Sequence, residues 1–584
     1  TRRQTALVKR IAAADLAANR HHPLHVRNAD ETTYKLPNHV CSYISAFTKG
    51  LPHHLDGRLV SPHDFLAFVR AINSGDEKEI AALTLGPARD PETGLPIWRS
   101  DLANSLDLEV RAWESMAAGN TFDLQGPDAQ AVTMPPCPRL NSHELVTEMT
   151  ELYYMALLRD VPFTHFNKHH LVQSAVHDMN HTHWTRSNRC CLPRPERRRH
   201  RSKFTTDNIF RGVTPGDITG PYISQFLLVG TKGLGDAHEE TEGYVQYGAT
   251  RIDQRVRTVE PKIDYMTTWA AYLDVQNGAD LRRHSTYAKP PSYRFISTPR
   301  DLATYVHYDA LYQAYLNACI ILLDINAPYD GGLPFTADDA VDKQQGFATF
   351  GAPHVLTLVT EVATRALKAV RFQKYAVHRR LRPEAVGGLL EQYRRYGGGH
   401  SDLAYIIRPI RHLADSLSSD LMFMVAKENG RQNSSITDNG HPRSHDEGSD
   451  DTHLLSMAYA EGSPMHPSYG AGHATVAGAC VTILKAFFDH TFKLPFAYVS
   501  SSDGRKLKTV KLSRKLTVED ELNKLAANIS IGRSWAGVHY YSDYVESIRL
   551  GEEVAIGMLK EQKLTYSEKF TMTIPKFDGS VIEI

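Results

Sequence analysis

Stretch after stretch of this chain repeats apolar residues at helical spacing, and very little of it alternates as a strand would. Leu145, Val146, Met149, Leu152, Tyr153 and Leu157 return every three or four positions, the period of one buried helix face. Asn141 and Glu144 make a capping-box pattern, which predicts a helix running through Asp160. Thr298-Pro299 pairs a good cap with a good first helical residue. Behind it, Leu302, Tyr305, Tyr308, Leu311, Tyr312, Tyr315, Leu316, Cys319 and Leu323 read as one long buried face. Further helical patterns cover 352–382, 402–427, 452–460, 473–489, 519–530 and 539–563. Only the tail KFTMTIPKFDGSVIEI, turning at Asp578-Gly579, reads as a hairpin. The expected fold class is mainly α with a few short β-hairpins. Residues 1–140 are more irregular and form an expected packing or oligomer-contact region ahead of a helical-bundle domain at 141–584.

Charge narrows the function. Lys+Arg and Asp+Glu both count 66, so the formal net charge of the 584 residues is zero. A general nucleic-acid binder usually shows a basic excess, so any anion site here must be a local concentration of positive charge. No run of about 18 apolar residues occurs, which excludes a membrane-spanning helix. The opening TRRQTALVKRIAAADLAANR is basic and amphipathic and lacks the apolar centre of a secretory signal. Six cysteines, Cys41, Cys137, Cys190, Cys191, Cys319 and Cys480, fit no zinc spacing. Cys319 and Cys480 sit in apolar runs and read as buried thiols, whereas Cys190 and Cys191 are free to pair elsewhere. Two polar segments read as loops: the basic CCLPRPERRRHRSK at 190–203, a solvated loop or alternatively a contact with an acidic subunit surface, and 429–451, which precedes HPSYGAGH and borders an expected site entrance.

Three short segments carry the chemistry. In KYAVHRRLRP, Lys374 and Arg382 lie eight residues apart, about 12 Å along a helix, within reach of one anion for two long side chains. Pro383 biases Arg382 toward a helix end. Taken alone, this cluster reads as a solvated basic face. In HPSYGAGHATVAGAC, the chain breaks at Pro467, Gly470 and Gly472 and a helix begins near His473. Unpaired N–H groups at such a start hold anions, His473 can exchange a proton near neutral pH, and His466 lies one loop earlier. The plain alternative is a pair of turn-lining histidines. In GRSWAGVHYYSD, a glycine-rich bend would aim Arg533 and His539 inward, and Asp543, four residues on, would orient the imidazole. A solvent-facing Asp543 is the equal alternative. Lysine, two arginines, Gly-His and a further histidine in this order make a receptor for a tetrahedral, multiply charged anion, phosphate or its mimic vanadate.

With these segments in that order, the sequence resembles the vanadium-dependent haloperoxidases, especially the marine algal bromoperoxidases, and more distantly the acid phosphatases of the same superfamily. ELYYMALLRDVPF, TGPYISQFLL, RFISTPRDLA and RPEAVGGLL extend the resemblance over roughly 145–565. It implies two four-helix bundles with additional helices. It also implies that Lys374, Arg382, Arg533 and the Gly472 amide hold vanadate, that His539 binds vanadium, and that His473 is the acid-base residue. His466 and Gly532 match the bromoperoxidase pattern. Ala471 departs from it, standing where the family has serine, and removes a hydrogen bond to vanadate or halide. The implied activity is oxidation of bromide and iodide by hydrogen peroxide to hypohalous acid, which halogenates small organic acceptors. Lys374, His466 and His473 serve the reaction, with Asp543 behind His539. The resemblance further implies a homo-oligomer, dimer to dodecamer, and a structural calcium for which Asp338, Asp339 and Asp342 are the candidates beside a plain polar turn. Neither nucleic acid nor membrane is an expected partner.

Two other readings compete. A phosphatase would use His539 as nucleophile and His473 as general acid. An anion-binding scaffold without turnover would carry Ala471 as its mark.

Overall fold

Helices form in this chain where an apolar face has something to cover. The computed structural model describes every residue except 101–102, 104–105, 107, 398–406 and 436–450. Nine helices are numbered here in chain order: α1 His143–Leu157, α2 His170–His181, α3 Pro299–Tyr308, α4 Gln313–Asp324, α5 Ala352–Phe372, α6 Pro383–Tyr396, α7 Gly472–Phe487, α8 Val518–Trp535 and α9 Tyr541–Lys563. The fold is mainly α, as expected. The sheet structure of the described residues is four two-stranded antiparallel sheets. The last pairs Thr573–Pro575 with Val581–Glu583 around Gly579, whose φ of +83° suits glycine.

Helix α7 is the central rod. All its residues but His473 are buried, so it reads apolar all round rather than as an amphipathic stripe. It packs against α5, α8 and α9, and α3 lies on α8. The α7–α9 crossing is closest at two reciprocal glycines. A Cβ at Gly478 would overlap the carbonyl of Ile548, and one at Gly551 would overlap the carbonyl of Thr475. A second group joins α1 to α2, to the helix Ser419–Ser435 and to α8. The N-terminal region folds onto this frame: Tyr43, Phe47, Phe65 and Phe68 cluster with Tyr375, beside Lys374.

Several expectations are corrected. Ser142, not Asn141, caps α1, its hydroxyl accepting the Leu145 N–H at 3.1 Å. The helix opening at Thr298-Pro299 is capped as predicted, with Asp301 completing the box, but it stops at Tyr308 and restarts at Gln313, because Asp309 leaves helical geometry. The 352–382 pattern ends its α-helix at Phe372 and winds into a π-turn, Gln373–His378. Residues 452–460 are not helical; Tyr265 and Met457 exchange backbone hydrogen bonds there, so tertiary pairing overrides the local pattern. The 402–427 pattern splits, in its described part, into Arg411–Ser416 and Ser419–Ser435. Helix α8 runs past 530 to Trp535, so Gly532 and Arg533 are helical and the bend expected before His539 falls at Gly537.

The basic segment 190–203 is not a solvated loop. Arg194–Arg199 is helical, and Arg199 is buried in a forked pair with Glu144 and within 3.4 Å of Glu546. Residues 436–450 of the second polar segment lie outside the described residues. All six cysteines are free thiols, Cys319 and Cys480 buried as expected and Cys190 and Cys191 exposed. Among the described residues no helix is long and apolar enough to cross a membrane.

Candidate active site

Four helix ends and one loop meet at the base of α7. The π-turn after α5 presents Lys374, and the cap of α6 presents Arg382. The 466–471 loop runs into the start of α7, the last turn of α8 carries Arg533, and α9 begins after His539. The structure thus brings together every predicted cage residue.

Arg382 is the hub. Its Nε donates to the His466 carbonyl at 3.0 Å and its Nη1 to the Val538 carbonyl at 2.8 Å. Nη1 also lies 3.1 Å from His539 Nε2, and Nη2 lies 2.8 Å from His466 Nδ1. Lys374 Nζ donates to the Pro467 and Ser468 carbonyls at 2.7 and 3.0 Å. Arg533 Nη1 donates to the Val306 carbonyl at 2.8 Å, while its buried Nε has no partner. No carboxylate lies within ion-pair distance of Lys374, Arg382 or Arg533 among the described residues. Burying a charge without a counter-ion is costly, and three such charges around one point call for a multivalent anion. Burial, then Arg382, holds Lys374 well below the usual lysine range. Burial, then Arg533, pushes Arg382 down to about 9.

His539 is oriented by Asp543. Its Nδ1–H donates to Asp543 Oδ2 at 2.8 Å, which leaves the lone pair on Nε2. Asp543 faces inward, not solvent. It also accepts from Arg380 at 2.8 Å, Ser468 at 2.5 Å and the Tyr540 amide at 3.2 Å. Burial alone would raise its pKa, but Arg380 and His539 hold it below the usual carboxylate range. Arg380 is fixed in turn by Glu148 at 2.8 Å and by the Tyr540 ring face at 3.7 Å.

His473 is the second residue of α7, and its Nε2–H donates to Asp309 Oδ1 at 3.0 Å. Its pKa is lowered, by burial first, with Asp309 opposing. Gly472 opens α7, so its N–H has no partner in the helix. Ala471 is the N-cap and offers no side-chain cap, and its own N–H is held by Ser547 at 2.8 Å. His473 and Arg533 line an open cavity of about 750 Å³ together with His307, Tyr308, Tyr459 and Glu461. His466 receives Arg382 on Nδ1, so its Nε2–H points to Glu114 at 3.2 Å.

Sequence reasoning missed three residues. Arg371 sits 3.3 Å from where a Gly472 side chain would begin, pairs with Glu114 at 2.6 Å and leaves a buried Nη1 unpartnered. Its three-residue spacing from Lys374 was a readable signal. Glu114 and Asp309 had none. The expected calcium set does not form: Asp338 and Asp342 accept backbone N–H groups of Ala340 and Ala337 at 2.8 and 2.9 Å. Among the described residues no group of three or more His, Cys, Asp or Glu is placed to hold a metal.

The fold is a helical bundle whose helix ends gather buried cations and histidines. A family model described as the VCPO second helical-bundle domain matches residues 431–566. A vanadium-dependent bromoperoxidase of Corallina pilulifera is 51% identical over 100% of this chain and 98% of its own. That of Corallina officinalis is 50% identical over 100% and 98%, and that of Ascophyllum nodosum 29% identical over 95% and 88%. The solved homohexameric second vanadate-dependent bromoperoxidase of Ascophyllum nodosum superposes with a TM-score of 0.79 at 25% identity, covering 100% of this chain and 90% of that one. The chain belongs to the vanadium-dependent bromoperoxidases.

Proposed function

We propose that this enzyme oxidises bromide with hydrogen peroxide at a vanadate held by Lys374, Arg382, Arg533 and the Gly472 amide, with His539 Nε2 as the ligand to vanadium. The carrying observation is the set of three buried cations that have no carboxylate partner among the described residues. Vanadate, when bound, supplies a Lewis acid that activates peroxide toward halide. The residues supply the rest. The cations and the amide neutralise the anion's charge, and Asp543 keeps His539 in the tautomer whose Nε2 can ligate. His473 is neutral near pH 7, and its Nδ1 lone pair accepts the proton that peroxide releases; Asp309 stabilises the resulting imidazolium. Lys374 polarises the bound oxidant. The net reaction balances as H2O2 + Br⁻ + H⁺ → HOBr + H2O, and hypobromous acid leaves through the open cavity to halogenate small organic acceptors.

Vanadate-free protein should gain bromination of a phenol dye when vanadate is added, and phosphate should block it. Hydrolysis of phosphate esters without bromination would favour the phosphatase reading instead. Homo-oligomerisation is part of the proposal, with residues 1–140 contributing contacts. The helix Arg2–Ala18 buries none of its residues and exposes Leu7, Val8 and Ile11. Light scattering on a chain lacking residues 1–18 should show a smaller assembly.

A further inference from the structure

Helix α2 carries a histidine pair that the site above does not use. His177 and His181 are exposed and stand one turn apart. Their rings stack, with centroids 4.2 Å apart and planes 29° from parallel. Residues at i and i+4 share a helix face, the spacing by which two helical imidazoles grip one ion.

Both rings are also braced from behind. His177 Nδ1 lies 3.1 Å from Asp178 Oδ1, and Asp178 Oδ2 accepts the hydroxyl of buried Tyr154 at 2.7 Å. His181 Nδ1 lies 2.7 Å from the His177 carbonyl. An ionised carboxylate and a carbonyl have no proton to give, so each Nδ1 is the protonated nitrogen and each Nε2 carries the lone pair. A tyrosine, a carboxylate and an imidazole in series, with the outer nitrogen free, is the support that ligating histidines have in metal sites.

We propose that His177 and His181 chelate a divalent transition metal through their two Nε2 atoms. Imidazoles without thiolate or clustered carboxylate select copper, nickel or zinc over calcium and magnesium, and copper(II) binds such nitrogen pairs most tightly. Among the described residues no group of three or more ligating side chains converges on one point. Water therefore fills the other positions, and the ion exchanges with solvent.

The test is a copper(II) sulfate titration of the full-length, vanadate-loaded chain followed by electron paramagnetic resonance. One equivalent should give a spectrum with two equatorial imidazole nitrogens. H177Q and H181Q should each lose that spectrum while keeping wild-type circular dichroism. D178N keeps both ligands but should weaken binding by about 10–100-fold, because the brace is gone. A two-nitrogen spectrum that survives in the H177Q/H181Q double variant, or no defined site in wild type at one equivalent, would overturn the proposal.

Discussion

Asp309 Oδ1 lies 3.0 Å from His473 Nε2 because the chain leaves the helix at Asp309. A continuous helix over 299–324 would have carried that carboxylate on a turn of the rod. The break instead sets it at the head of α7.

Replacing His473 with alanine should therefore lower turnover by about 10²-fold or more, the size of a general acid–base contribution. D309N should cost less and act through the proton. Loss of the negative charge moves the His473 pKa further down, so the limb of the bromination–pH profile set by His473 shifts to lower pH. A loss of rate with an unmoved profile would assign Asp309 to structure alone.

R533Q keeps an N–H for the Val306 carbonyl but removes a charge that meets no carboxylate. Vanadate affinity should fall about 10–100-fold, the equivalent of a charged hydrogen bond of about 1.5–3 kcal/mol. The vanadate-free variant should melt no lower than wild type, since it has one repelling cation fewer beside Arg382. Isothermal titration and thermal melts check both halves.

Acid should destabilise the vanadate-free protein. Burial holds His466 and His539 well below the ordinary histidine range, with Lys374 adding to the first and Arg382 to the second. The unfolded chain takes up those protons near pH 6.5 and the native fold resists them. Stability is thus full above about pH 6.5 and is lost as pH falls toward the folded values. A bound oxyanion offsets the repulsion, so the rise in melting temperature on adding vanadate should grow between pH 7 and 5. Melting temperatures that stay flat across that window without vanadate would contradict this.

Ala471 caps α7 without a side-chain oxygen. A471S should stabilise the protein by about 1 kcal/mol as an N-cap and tighten vanadate binding through the added hydroxyl. Chemical denaturation and vanadate titration measure the two effects separately.

The cage was legible because its members sit in short segments whose breaks, Pro383, Gly472 and Gly537, mark helix ends, and helix ends gather anion ligands. The expected bend between Arg533 and His539 is present, although the helix before it runs five residues further than its pattern suggested. Arg533 is helical, and the chain turns at Gly537, whose φ is +86°. Asp309 was hidden inside an unbroken apolar period, since a break of four residues preserves the face on either side. Glu114 belongs to a region with no periodicity, and it reaches Arg371 and His466 only through tertiary packing. The buried role of Arg199 was invisible for the same reason: its partner Glu144 lies 55 positions earlier.

The reciprocal contact of Gly478 with Ile548 and of Gly551 with Thr475 has a steric consequence. It locks the rod that begins at Gly472 against the rod that follows His539, main chain on main chain. A methyl group at either glycine would drive the two rods apart, so the placing of His473 against His539 rests on two absent side chains.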